Sequence, residues 1–189
     1  YPEPSADIST LKQQKNIPHN QLIISYIGMI KPKKGVEKLI TAYKAADLKN
    51  SILLLSGRVA SPAYEEKLNQ LINQHENIKT CFKFLSDQEL IDSLTISDYI
   101  CLPFSDTLTS GSTILAMSQN KALILPITAK VFGCVPEQGV KYFNSDQDLI
   151  KLLSTLDNTE SVKMGSENRI QAEKMSWSEV AKLTNKSYR

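Results

Sequence analysis

Apolar residues in this chain alternate between two patterns. Short apolar runs occur at Leu22 to Ile27, Ile52 to Leu55, Tyr99 to Leu102, Ala122 to Leu125 and, briefly, Val140 to Phe143, with a weaker one around Ile78 to Phe84. Between them lie longer stretches with helical spacing. Val36, Leu39, Ile40 and Tyr43 fall at i, i+3, i+4 and i+7, and Leu68, Leu71, Ile72 and His75 repeat those intervals. Leu90, Ile91 and Leu94, then Ile114, Leu115 and Met117, continue the series more briefly, and Leu149, Ile150, Leu152, Leu153 and Leu156 open a helical end. A run that is apolar at every position needs cover on both faces, and parallel strands obtain it from their crossover helices. The alternation therefore predicts an α/β fold, a doubly wound parallel sheet of about six strands. Residues 1–20, with Pro2, Pro4 and Pro18, read as a lead-in linker with room for one short helix, and residues 21–175 as the folded domain. Residues 176–189, with Trp177, Val180 and Ala181, read as a closing helix.

Of the 189 residues, 41% are hydrophobic and 22% charged, enough to bury a core and outside the range of disordered chains. Lys and Arg total 22 against 20 for Asp and Glu, a net charge of +2 with no long block of one sign, which gives no support to nucleic acid as a partner. The 3 cysteines include no C-x-x-C pair, and Cys81 and Cys101 sit within apolar runs. They are expected to be buried thiols in a reducing, cytoplasmic setting, not a disulfide scaffold or a zinc site. No apolar stretch approaches the ~18 to 20 residues of a membrane span, and no basic segment precedes an apolar one at the N-terminus. The first residue is Tyr1, followed by Pro-Glu-Pro, as expected of a piece excised from a longer protein.

In a doubly wound sheet the ligand sits at the carboxyl ends of the strands where strand order reverses, commonly between the loops after the first and fourth strands. The first of these loops reads Gly28-Met29-Ile30-Lys31-Pro32-Lys33-Lys34-Gly35. Its lysines and glycines crowd a helix N-terminus, where free N–H groups and the dipole favour an anion, so the turn is either a phosphate site or a solvated basic turn closed by Gly35. It matches neither G-x-G-x-x-G nor the P-loop. The second loop reads Pro103-Phe104-Ser105-Asp106-Thr107-Leu108-Thr109-Ser110-Gly111-Ser112. Its hydroxyls can cap the next helix, but they exceed what one cap needs. Gly111 admits an oxyanion close to the backbone, and Thr109, Ser110 and Ser112 can add donors. Two helix N-termini across one crevice suit a diphosphate. Arg58, just past the second strand, either reaches that crevice or is an ordinary surface arginine. Asp106 is the one carboxylate of the two loops and either serves the site or caps a turn. His75 and His19 lack ligand-spaced partners and read as structural.

Several segments, in order, resemble the C-terminal, nucleotide-sugar-binding domain of GT-B glycosyltransferases: Tyr26-Ile27-Gly28 followed by Pro32-Lys33-Lys34-Gly35-Val36, Leu53 to Gly57, Leu85 to Leu90, Ser97 to Pro103 and the closing Ser176-Trp177. The nearest group is the large family that includes sucrose synthases and bacterial surface-polysaccharide transferases. The resemblance implies a Rossmann-like half of a GT-B fold, with the acceptor bound by an N-terminal domain preceding residue 1. It implies that Lys34 binds the donor diphosphate and stabilises the leaving group, that Gly28 lets the phosphates come close, and that Phe84 and Leu85 lie against the nucleobase. The sequence departs from the family's pattern in two places. Met29 stands where the family usually has Arg, so Lys31 supplies the second positive charge. The Glu-x7-Glu motif falls on Thr107 and Leu115, which leaves the usual ribose contact absent or provided elsewhere and the stereochemical outcome open. The Leu108 to Ser112 segment looks like a variant branch in which hydroxyls and backbone donors bind the anion.

The expected partner is thus a nucleoside diphosphate sugar of UDP or GDP type, with a sugar or lipid-linked acceptor and no cofactor or metal. Glycosyl transfer builds positive charge on the sugar and negative charge on the departing diphosphate, and ammonium groups stabilise the latter. Peripheral membrane association of the full protein is a further expectation from the family's lipid-linked acceptors. Two alternatives stand beside this reading: a nucleotide-sugar epimerase of the same fold, and a non-catalytic module binding an anion or a protein partner.

Overall fold

The chain is described here by a computed structural model covering residues 2–104 and 111–175. Six strands, β1 (Leu22–Ile27), β2 (Ser51–Ser56), β3 (Ile78–Cys81), β4 (Tyr99–Cys101), β5 (Ala122–Pro126) and β6 (Val140–Phe143), form one parallel sheet in the order β3-β2-β1-β4-β5-β6. Order reverses between β1 and β4, which pair through Ile24 with Tyr99 and Ser25 with Ile100. The helices are α1 (Ile8–Gln14), α2 (Val36–Ala46), α3 (Pro62–Ile72), α4 (Asp87–Ile96), α5 (Gly111–Ser118), α6 (Asp146–Leu153) and α7 (Asn158–Lys174). Helix α2 packs with α3 and α6, whereas α1 packs with α4 and α5 with α7, so the sheet is covered on both faces. That cover is why every residue of β2 is buried.

Local signals fix where the helices begin and end. Ser61 caps α3 ahead of Pro62, Ser86 and Glu89 form a capping box on α4, and Ser145 and Asp157 cap α6 and α7. Asn73 ends α3 in the left-handed region at φ 47°, so His75 lies beyond the helix and not on its apolar stripe. Its ring meets Tyr43 edge-on at 6.0 Å. The third apolar run is likewise shorter as a strand than its composition suggests, because β3 stops at Cys81 and Phe84 is 77% exposed. All three cysteines are free thiols, with Cys101 buried but Cys81 and Cys134 only half-buried. The lead-in segment packs on the sheet: Leu11 and Ile17 join Ile23, Ile52, Leu54 and Ile96 in a buried cluster. The closing segment 176–189 lies outside the described residues.

The amino end of the sheet holds a buried polar network. Lys12, 6% exposed, donates from Nζ to the carbonyls of His19 and Gln21 at 3.1 and 3.3 Å. The Asp98 carboxylate accepts from the Ile23 amide at 2.7 Å, and Lys121 Nζ donates to the Thr95 and Ser97 carbonyls at 3.0 Å each. Nearby, Asn168 on α7 donates to the carbonyls of Lys121 and Gly139 at 2.8 and 2.7 Å, fastening that helix to the sheet. Burial pushes the Lys121 ammonium down to about 8, against the pull of Asp98, and pushes the Asp98 carboxyl up.

Because Lys121 has a lower pKa folded than the ordinary 10.5, the unfolded chain binds more protons between about pH 8 and that value, and stability rises with pH through the window. Unfolding by urea at about pH 7.5 and pH 10 should show the wild type gaining roughly 2 kcal/mol relative to Lys121→Met, in which this titration is missing. A gap that does not change with pH would show that Lys121 is not held in its depressed state.

Candidate functional site

The loop after β1 is tied to the loop after β2. The Gly28 amide donates to the Ser56 carbonyl at 3.0 Å, Ile30 donates to the Arg58 carbonyl at 2.9 Å, and Ala60 returns a bond to Ile30 at 2.9 Å. The Tyr26 hydroxyl, from β1, donates to the Met29 carbonyl at 2.9 Å. Backbones meet so closely that a β carbon on Gly57 would lie 1.8 Å from the Gly28 carbonyl oxygen, and both glycines have positive φ. The chain then makes a 3-10 turn, Pro32–Lys34, in which the Lys34 amide donates to Lys31 at 2.8 Å. Gly35 follows at φ 72° and leads into α2.

Gly35 also joins the two crevice loops. A β carbon there would stand 2.2 Å from the Pro103 carbonyl oxygen, just beyond β4. On this contact the Lys34 ammonium rests 3.9 Å from the centroid of the Phe104 ring, itself 5% exposed. Burial, and then the neighbouring charge of Lys31, hold the Lys34 ammonium below the ordinary lysine value. Lys31 and Lys33 are exposed.

On the other side of the crevice, Gly28 faces the start of α5, where its missing β carbon would come 3.2 Å from Ser112 Oγ. At Gly111, the first residue of α5, no atom of the described residues comes within 4 Å of where a β carbon would go. A cavity of about 300 Å³ opens beside these residues, walled by Ile27, Leu90, Leu94, Ile100 and Leu115 and floored by Gly28, Gly111 and Ser112. A second cleft, about 500 Å³, lies between α2 and the carboxyl ends of β5 and β6, lined in part by Pro32, Gly35, Pro103, Phe104, Ile127 and Phe143.

Of the expected site residues, Gly28, Gly111 and Ser112 border one cavity, while Lys31 and Lys34 lie on the same loop as Gly28, with Lys34 against Phe104 just beyond β4. Arg58 is exposed, with its carbonyl bonded to Ile30 at the rim. Phe84 and Leu85 occupy the turn between β3 and α4, with Phe84 exposed and Leu85 half-buried. Asp106, Thr107, Thr109 and Ser110 lie outside the described residues. Sequence reasoning passed over Pro103 and Phe104 as participants, although two bulky apolar residues directly after a strand, where a polar loop should begin, were a signal. Leu90 and Leu94 pack with the core as their helical spacing predicts, and they also wall the cavity. Among the described residues no group of three or more His, Cys, Asp and Glu gathers as metal ligands would, and no helix is long and apolar enough to cross a membrane.

Glycines, a cationic turn and an apolar cavity lie at the switch point of a doubly wound α/β sheet, the place where folds of this class hold their ligands. The chain belongs to the family of glycosyl transferases group 1, whose profile matches residues 7–138. A GDP-mannose:glycolipid 4-beta-D-mannosyltransferase of Xanthomonas campestris pv. campestris is 21% identical over 183 residues, covering 95% of this chain and 51% of that protein. The chain thus spans about half the length of the curated relatives it matches. Among solved structures, sucrose-phosphate synthase of Thermosynechococcus elongatus superposes with a TM-score of 0.79 at 18% identity, over 98% of this chain and 51% of that one. The C-terminal domain of the group 1 protein LpcC from Francisella tularensis matches at 0.74 with 16% identity, over 90% of this chain and 93% of the domain. Anabaena HepE, solved with UDP and glucose, gives 0.76 at 20% identity, over 90% of this chain and 48% of HepE. The fold is that of the C-terminal half of a GT-B glycosyltransferase.

Substituting Gly35→Ala should destabilise the protein by about 2 to 3 kcal/mol, since it forces a left-handed backbone on alanine and drives its β carbon against Pro103. Gly111→Ala, with open space, should stay within about 0.5 kcal/mol of wild type. Urea midpoints for the pair test this, and equal values would mean that the two loops are not in contact.

Proposed function

We propose that this chain is the donor-binding half of a glycosyltransferase that carries a sugar from a nucleoside diphosphate to a separately held acceptor. The reading rests above all on Lys34, a half-buried ammonium at the switch point that forms no ion pair among the described residues. A cation whose pKa is lowered by partial withdrawal from water, and then by the nearby charge of Lys31, gains most from an anion that supplies a counter-charge. The diphosphate of the donor is that anion. Gly28 and Gly111 let its oxygens approach backbone, Ser112 adds a hydroxyl, and the apolar cavity walled by Leu90, Leu94 and Leu115 takes the less polar part of the nucleoside.

As the glycosidic bond to phosphate breaks, negative charge grows on the departing diphosphate, and Lys34, seconded by Lys31, stabilises it there. Arg58 extends the cationic rim, while Phe84 and Leu85 border the nucleobase. Asp106, Thr109 and Ser110 complete the second loop. Two relatives bear on the donor, one named for GDP-mannose and one solved with UDP, so both bases are candidates. The relative named for a glycolipid substrate supports a lipid-linked acceptor, held by a partner domain at the cytoplasmic face of a membrane.

Calorimetric titration with UDP, GDP and ADP should give saturable binding of UDP or GDP. Lys34→Ala should weaken it by roughly 1.5 to 3 kcal/mol, as for loss of a charge-assisted hydrogen bond. Folded protein that binds none of the three, or an affinity untouched in Lys34→Ala, would sink the proposal. Gly111→Val, which meets open space in the protein, should keep the fold and lose affinity, because its side chain fills the path of phosphate to backbone. Normal binding by that variant would remove the α5 start from the site.

A further inference from the structure

We infer that Phe104 is a positioning residue for Lys34, holding the ammonium in place by a cation–π contact that leaves its charge free for an incoming diphosphate. The inference rests on the donor-site reading above and goes beyond it, since Phe104 itself has no polar atom to offer a ligand.

A lysine on a short turn has a flexible stem, and something must restrict it if its charge is to be in place before the ligand arrives. Among the described residues Lys34 makes no ion pair, and the group it does meet is the face of Phe104, with Nζ 3.9 Å from the ring centroid. The ring is itself held. Tyr26 packs edge-on against it, with centroids 6.3 Å apart and planes at 85°, and the Tyr26 hydroxyl is anchored on the Met29 carbonyl. Below the ring, the Gly35 contact with the Pro103 carbonyl fixes the backbone that carries Lys34 against the backbone that carries Phe104.

The chemistry of the partner matters. A carboxylate at this position would hold the lysine more strongly, but it would cancel the positive charge and repel a diphosphate. An aliphatic side chain would exclude water from the ammonium and return nothing. An aromatic face attracts a cation through its quadrupole, carries no net charge, and leaves the outer side of the ammonium open to phosphate. Phe104 therefore achieves what a catalytic electrostatic site requires, a fixed charge that needs no reorganisation when the ligand binds.

The test is a double-mutant cycle on nucleotide binding, using whichever of UDP and GDP the wild type binds better. Phe104→Leu should weaken binding about 3- to 30-fold, the span of a cation–π contact, and Phe104→Tyr should restore it to within about twofold. Lys34→Ala with Phe104→Leu should bind no worse than Lys34→Ala alone, because Phe104 acts only through the lysine. Wild-type affinity in Phe104→Leu, or losses that simply add in the double variant, would overturn the inference while leaving the donor site standing. Failure of the wild type to bind either nucleotide would overturn both. A measurement that needs no variant decides the contact itself: in the NMR spectrum of the free protein, the ε-methylene protons of Lys34 should be shifted upfield by the ring current of Phe104. Ordinary lysine shifts there would overturn the inference even if Phe104→Leu failed to fold.

Discussion

Backbones at the carboxyl edge of this sheet approach one another more closely than any side chain would permit, and the crevice depends on that approach. Gly57 lies against the Gly28 carbonyl, so the loops after β1 and β2 run as one layer. Gly35 lies against Pro103, so the loop after β1 also touches the loop after β4. With a side chain at either glycine the 3-10 turn would lift away from the sheet, and Lys34 would swing out of reach of Phe104. Parallel pairing sets the strands in register, but these contacts decide where the cation stands.

The two ends of the sheet treat lysine in opposite ways. At the amino end, Lys12 and Lys121 spend their donors on backbone carbonyls, and Asp98 stands near enough to pull on both of their charges. Each has acceptors within the protein, and the network ties α1, α4 and the start of β5 to the strands. At the carboxyl end Lys34 has a ring instead of an acceptor. Burial lowers the affinity of both Lys121 and Lys34 for protons, yet among the described residues only Lys34 lacks a carboxylate pulling on its charge. On the donor reading, that contrast is the reason for assigning the diphosphate to the carboxyl end of the sheet.

Much of this was legible in the chain. Apolar runs at Leu22 to Ile27, broken only by Ser25, and at Ala122 to Leu125 coincide closely with β1 and β5, because a strand covered on both faces has few polar positions to disguise it. Capping signals such as Ser61-Pro62 and Ser86 with Glu89 act within a few residues and mark their helix starts. What escaped depended on chain reversals or long-range contact. Helical spacing carried His75 into α3, but Asn73 had already turned the backbone into the left-handed region. Pro2, Pro4 and Pro18 suggested a linker, whereas Leu11 and Ile17 find apolar partners on β1 and β2 that are distant in sequence. Of the candidate site, Lys34 and Gly28 could be singled out because a basic, glycine-bearing loop follows a strand at the switch point. Phe104 was not, since an aromatic residue declares its role only when a cation from another loop is placed on its face.

On the donor reading, recognition divides between two kinds of surface. The walls contributed by Leu90, Leu94, Ile100 and Leu115 are apolar, and they can select a nucleoside by shape and by the water they release, but they cannot respond to charge. The turn at Lys31 to Lys34 responds to charge and is blind to the base. By the resemblance, Thr107 and Leu115 stand where family members carry carboxylates, one of them on the ribose next to that diphosphate. Removing an acid from the neighbourhood of a phosphate has the same electrostatic direction as adding a base. Asp106 remains the one carboxylate in the sequence of the two crevice loops, so on this reading few charges set the field and the position of Lys34 carries correspondingly more of it.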